Sequence, residues 1–145
     1  MSRGYRFVSH TADIAFIAYG SSYKELIDNS VRALIESISY VDDIKKDIDR
    51  LQRRSIIIDA RSDDIESLIW RSLQLLISYS DAESLLPFSI ESSSLNDSNK
   101  HYSAKISAID DSPYYRKFDV KAVTLHNLKL NKNRSTYSIK IVLDV

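Results

Sequence analysis

No cysteine occurs among the 145 residues, which excludes a disulfide framework, cysteine-based zinc and iron–sulfur sites, and thiol nucleophiles. Glycine and proline are scarce, two of each, so glycine-rich phosphate loops of the Walker or dinucleotide type cannot be built. Neither sign of charge dominates, because twenty Lys and Arg stand against twenty Asp and Glu. No overall field therefore draws the chain to nucleic acid or to an anionic membrane, and a nucleic-acid role needs a local patch. The N-terminal residues carry no apolar signal core, and no stretch approaches the roughly 18 apolar residues of a membrane span. A soluble, cytoplasmic protein is expected. What the chain does have is 43% hydrophobic residues, enough for one core in one domain over residues 1–145.

Periodicity divides the chain into elements. Tyr5 to Ser9 and Asp13 to Tyr19 are rich in β-branched and aromatic residues, and they predict two strands around the polar insert His10-Thr11-Ala12. From Ser22 the period becomes helical: Tyr23, Ile27, Val31, Leu34 and Ile38 share a stripe, with Lys24, Glu25, Asp28 and Arg32 outside it. Ser21 or Ser22 serves as the N-cap, with Glu25 as a capping-box partner. Residues 42–54 interleave acidic and basic side chains and predict an exposed connector with room for a helical turn. Arg54 to Ala60 reads as a strand buried on both faces. A second helix follows the Ser62-Asp63-Asp64 cap, with Ile65, Leu68, Ile69, Ser72, Leu75, Leu76 and Tyr79 inward and Trp70 and Leu73 beside them. Beyond Pro87 the pattern predicts strands at 88–93, 102–109, 120–130 and 136–145, with turns at 96–99 and 131–134. Between them, the loop from Asp110 to Asp119 presents Tyr114 and Tyr115 as a candidate interaction surface. The order predicts an α+β fold, with two amphipathic helices packed on a mixed or antiparallel sheet.

Ingredients for catalysis are few. His10, His101 and His126 are the histidines, no serine sits in a nucleophile-elbow context, and no metalloprotease motif occurs. Asp42-Asp43, Asp63-Asp64 and Asp110-Asp111 read as solvated loops or helix starts. The basic residues Lys45, Lys46, Arg50, Arg53 and Arg54 are interleaved with acids and lack aromatics for base stacking, so they read as a solvated face. No strong direct nucleic-acid binding is expected. His10-Thr11-Ala12-Asp13 is the most suggestive segment. From spacing alone it reads first as a turn in which Asp13 or Thr11 caps backbone N–H groups and His10 packs; a metal site is the second reading. Asp144 ends an apolar run, one residue from the carboxylate of Val145. Together with Asp13, these groups would make an all-oxygen anionic pocket suited to Ca²⁺, Mg²⁺ or Mn²⁺ rather than zinc or copper.

Tyr5-Arg-Phe-Val-Ser-His10-Thr11-Ala12-Asp13-Ile14, Ala18-Tyr19-Gly20, Val120-Lys-Ala-Val-Thr-Leu-His126 and the terminal Leu143-Asp144-Val145 together resemble the archease family over essentially the whole chain. The resemblance implies a small α+β protein cofactor of the RtcB-type RNA ligase, which joins tRNA halves using GTP and a divalent metal. Such a cofactor is a non-catalytic activator that promotes guanylylation of the ligase and sustains multiple turnover. A chaperone-like link to tRNA cytosine methyltransferases is the alternative. Carried over by position, the implied metal ligands are Asp13, Asp144 and Val145, the last through a backbone or terminal oxygen, with His10 and His126 as orienting or packing residues. Ser9 and Asn127 depart from the family pattern, as does the loop from Asp111 to Lys117, so partner recognition there is expected to differ. Two further readings compete: a self-sufficient enzyme using the acidic pocket for metal-assisted hydrolysis, and an interaction module whose metal is structural.

Overall fold

In the computed structural model, residues 4–9, 13–125 and 128–145 are described. Eight strands and three α-helices follow in the order β1 (Tyr5–Val8), β2 (Ile14–Gly20), α1 (Tyr23–Ile38), α2 (Val41–Asp47), β3 (Arg54–Arg61), α3 (Ile65–Glu83), β4 (Leu85–Asn96), β5 (His101–Asp110), β6 (Ala122–Val123), β7 (Leu130–Asn133) and β8 (Thr136–Asp144). The architecture is α+β, as the pattern predicts, but its strands form two sheets. One runs β1-β2-β8-β6 with β7 also paired to β8; the other runs β3-β5-β4. Every pairing is antiparallel.

Both long helices begin where their caps predict. Ser22 Oγ accepts the Glu25 N–H at 3.1 Å, and Asp64 Oδ1 accepts the Ser67 N–H at 2.8 Å, so each helix has one otherwise unpaired donor satisfied. The capping box is only half formed, because the Glu25 carboxylate accepts from Ser21 Oγ at 3.0 Å. Gly20 lets α1 start directly over β2. A side chain there would meet the Leu26 backbone, with Cα at 2.8 Å.

Four expectations need correction. β3 is not buried on both faces: Ile56, Ile58 and Ala60 are buried, whereas the intervening Ile57 is 58% exposed. α3 covers one face of this antiparallel sheet, and the other carries polar residues, which gives period-two burial. Asp28 is not on a solvated helix face. It is buried on α1, where its carboxylate accepts from Tyr102 Oη at 2.6 Å and pairs with Lys24 Nζ at 2.8 Å. Residues 41–50 form a seven-residue helix followed by a 3-10 turn, more than the single helical turn expected within the connector. Finally, 120–130 is not one strand: β6 covers only Ala122–Val123, and Leu130 is the first residue of β7.

Turn chemistry compensates for the shortage of glycine. Ser84, Lys100 and Arg134 all adopt left-handed backbone conformations, with φ of 54°, 48° and 59°. Ser84 ends α3 in this way, its N–H donating to the Asp81 and Ser80 carbonyls, and β4 begins at the next residue. β4 also contains Pro87. The strand tolerates it as a sheet edge with a register shift between Pro87 and Ser89.

Candidate functional site

The acidic residues singled out at the two ends of the chain are brought to neighbouring strands. β2 and β8 pair from Gly20 opposite Tyr137 to Ile14 opposite Leu143. Asp13 and Asp144 flank that last rung, Asp13 immediately before β2 and Asp144 as the final residue of β8. Asp144 is exposed and Asp13 half-buried. The main chain of Asp144 is fixed from the other side, since Ala122 of β6 lies opposite it and its carbonyl accepts the Lys121 N–H at 2.8 Å. Val145 follows and is exposed. Among the described residues, no three His, Cys, Asp or Glu side chains are grouped closely enough to hold a metal ion. His10 and His126 lie outside the described residues.

The sequence reading missed how β6 is held. The Val123 N–H donates to Gln74 Oε1 at 3.0 Å and the Val123 carbonyl accepts from Trp70 Nε1 at 3.0 Å. Glu66 Oε2 accepts the Leu130 N–H at 2.6 Å. These three α3 residues are spaced by four, so they form one stripe along the helix. The available signal was polar and amphipathic side chains recurring at i, i+4 and i+8 beside the inward stripe. The α3 side chains thus take both backbone groups of Val123 that face away from β8; the next residue, Thr124, still donates to the Val142 carbonyl at 2.9 Å, and Leu125 is 65% exposed.

The tyrosine loop is half as open as expected. Tyr114 is 69% exposed, but Tyr115 packs on the core and its hydroxyl donates to Asp47 Oδ2 at 2.7 Å. That hydrogen bond, followed by the Arg50 guanidinium at 2.6 Å, holds the Asp47 carboxyl below its usual range; the same bond raises the Tyr115 phenol. Two backbone bonds, Tyr40 N–H to the Tyr115 carbonyl and Lys117 N–H to the Ile38 carbonyl, each 2.8 Å, tie the loop to the α1–α2 corner.

Among the described residues, one Ser–His–Asp grouping occurs, on the outer face of the β3-β5-β4 sheet. His101 Nε2 meets both Asp59 Oδ1 and, at 3.3 Å, Ser103 Oγ. Both partners address the same ring nitrogen, so the imidazole cannot relay a proton from serine to one nitrogen while aspartate orients the other. A cleft of about 800 Å³ opens between α1, α2 and β4, with Tyr5, Glu36, Tyr40, Lys45, Phe88 and Lys117 among its walls. It mixes acids, bases and aromatics without a nucleophile–base pair. The basic run is partly neutralised in place, Arg50 by Asp47 and Arg54 by Asp110 at 3.1 Å.

Residues 5–145 match the model of the archease protein family (MTH1598/TM1083). The chain belongs to the archease family. Relatives named protein archease include one from Archaeoglobus fulgidus, 30% identical over 141 residues and covering 97% of this chain and 98% of its own length. Another, from Sulfolobus acidocaldarius, is 28% identical over 145 residues with the same coverage of 97% and 98%. In structure, the chain is similar to Methanobacterium thermoautotrophicum protein 1598, with a TM-score of 0.70 at 21% identity over 99% of this chain and 100% of that one. It is also similar to a Thermotoga maritima protein described as an archease and possible chaperone, with a TM-score of 0.62 at 21% identity over 95% and 94%. These two likenesses support the α+β archease fold. Among the described residues, no helix is long and apolar enough to cross a membrane.

Proposed function

We propose that this archease acts as a non-catalytic protein cofactor of an RtcB-type RNA ligase, promoting ligase guanylylation and multiple turnover in tRNA splicing from the cytoplasm. The observation that carries the reading is the β2–β8 register, which sets the aspartate of the His10-Thr11-Ala12-Asp13 motif beside the terminal aspartate, Asp144. Asp13, Asp144 and an oxygen of Val145 form a hard, all-oxygen donor set, the chemistry that suits Ca²⁺, Mg²⁺ or Mn²⁺. A cation bound there would supply localised positive charge at an exposed strand end, where a partner's phosphate or active-site groups can meet it. The protein's own residues do the positioning: β6 and the Lys121 N–H fix the Asp144 main chain, and the β2–β8 ladder fixes Asp13 next to it.

The test is a guanylylation assay with the ligase and GTP, run with and without this chain, with Asp13→Ala, and with a C-terminally extended version. The wild type is expected to stimulate and Asp13→Ala to fail while keeping its circular dichroism spectrum. A weakened response from the extended chain supports a Val145 oxygen as donor. Full stimulation by folded Asp13→Ala contradicts the proposal.

A second reading is favoured by one specific finding, the description of the Thermotoga relative as a possible chaperone. In it the chain modulates a tRNA cytosine methyltransferase and the metal only braces the chain ends. Chelation then lowers the melting temperature strongly, and the methyltransferase rather than the ligase is captured in a two-bait pull-down.

A further inference from the structure

Helix α3 reaches across to the segment from Val123 to Leu130 with three side chains on one stripe. Gln74 and Trp70 saturate the backbone of Val123, at 3.0 Å each, and Glu66 takes the Leu130 N–H at 2.6 Å. All three are half-buried, where water competes poorly for the same backbone groups. β6 is only two residues long and forms the end of its sheet. Two rungs to β8, Ala122 opposite Asp144 and Val123 opposite Leu143, are its ladder. So short a strand holds its register poorly by pairing alone. The α3 side chains supply the missing constraint by occupying the donor and acceptor of Val123.

The consequence reaches the acidic edge. The residue before β6, Lys121, donates to the Asp144 carbonyl at 2.8 Å, and the residue after it, Thr124, donates to the Val142 carbonyl at 2.9 Å. Val123 lies between these two bonds. A shift of Val123 therefore moves the peptide that fixes Asp144. We infer that Gln74 and Trp70 are positioning residues that hold β6, and through it the Asp144 end of β8, in the geometry used by the cation. This inference rests on the proposed cation site, but the constraint on β6 can be measured without a cation. Trp70 is the chain's single tryptophan, so its indole fluorescence reports on this contact directly.

The experiment compares wild type, Gln74→Ala and Gln74→Glu by amide hydrogen exchange without metal, by calorimetric titration with CaCl₂, and by thermal melting. Gln74→Ala is expected to speed exchange of the Lys121 and Thr124 amides and to weaken Ca²⁺ binding by roughly 10-fold, the scale of lost support behind a metal ligand. Gln74→Glu retains the acceptor for Val123 and is expected to restore both. Titration of the wild type is expected to change Trp70 fluorescence with the calorimetric midpoint. Unchanged exchange in Gln74→Ala overturns the inference whatever the calorimetry shows, as does faster exchange with wild-type Ca²⁺ affinity. A wild type that binds no Ca²⁺ defeats the cation reading itself, while the exchange data still decide whether α3 constrains β6.

Discussion

Asp13 and Asp144 flank the same terminal rung of the β2–β8 ladder, Ile14 opposite Leu143, although 130 positions separate them in the chain. Antiparallel pairing makes this possible. The N-terminal end of β2 must lie beside the C-terminal end of β8, so a motif early in the sequence and one at its close share an edge. This adjacency is the ground for the cation proposed to bind there.

Tyr102 is buried with its hydroxyl on the equally buried Asp28. Burial, then the charge of Asp28, pushes its phenol above the ordinary tyrosine range. In an alkaline absorbance titration Tyr102 is expected to ionise only as the protein unfolds. Tyr102→Phe is expected to destabilise by about 1–3 kcal/mol, because Asp28 loses a donor in a buried place. A variant that melts like the wild type refutes this account of the α1–β5 contact.

Neighbouring isoleucines on β3 should respond differently. Ile58→Ala opens the core under α3 and is expected to cost about 2–5 kcal/mol, whereas Ile57→Ser on the outer face is expected to change stability by about 0.5 kcal/mol or less. Urea denaturation of the two variants measures the difference. Equal losses would show that both faces of β3 are packed.

Asp47 links pH to the docking of the tyrosine loop. Its folded-state carboxyl is depressed, first by the Tyr115 hydroxyl and then by Arg50. The stability it contributes is therefore present above the unfolded carboxylate value, about 3.9, and lost as pH falls through the lower folded value. Melting temperatures of wild type and Asp47→Asn are expected to differ near neutrality and to converge as pH drops below about 4. A gap that stays constant through acid pH assigns the effect to something other than ionisation.

Ser84 pays for a left-handed backbone without being glycine, at φ 54°. Ser84→Gly keeps the N–H that closes α3 and relieves the Cβ clash, so a net gain of about 0.5–1 kcal/mol is expected after the entropy cost of glycine. A lower melting temperature contradicts it.

Much of this fold was legible because its signals are local. The Ser22 and Asp64 caps, the helical stripes and the strand at 136–145 depend on neighbours in sequence, and they lie where the pattern puts them, except that Tyr79, expected inward on α3, is 39% exposed. The misreadings share another cause. Asp28 looks solvated until Tyr102, from a distant strand, is seen to bury and satisfy it. RSIIIDA at 54–60 looks doubly buried until only one face meets a helix. The run at 120–130 looks like one strand, yet only Ala122 and Val123 belong to β6, and the outward backbone groups of Val123 go to Gln74 and Trp70 of a distant helix. For the site, the sequence reading joined Asp13, Asp144 and Val145 in one anionic pocket by their chemistry and by the family resemblance; the β2–β8 register that sets Asp13 and Asp144 at one edge is a tertiary property. The α3 stripe that braces the edge carries no motif of its own.

The central claim is that Asp13 and Asp144 act on one cation, and a double-mutant cycle read by calorimetric titration with CaCl₂ tests it most directly. Asp13→Asn and Asp144→Asn are each expected to weaken binding by more than about 10-fold, and the double variant to lose little beyond either single one. Independent losses that simply multiply, or a wild type whose heats match dilution alone, would contradict the account.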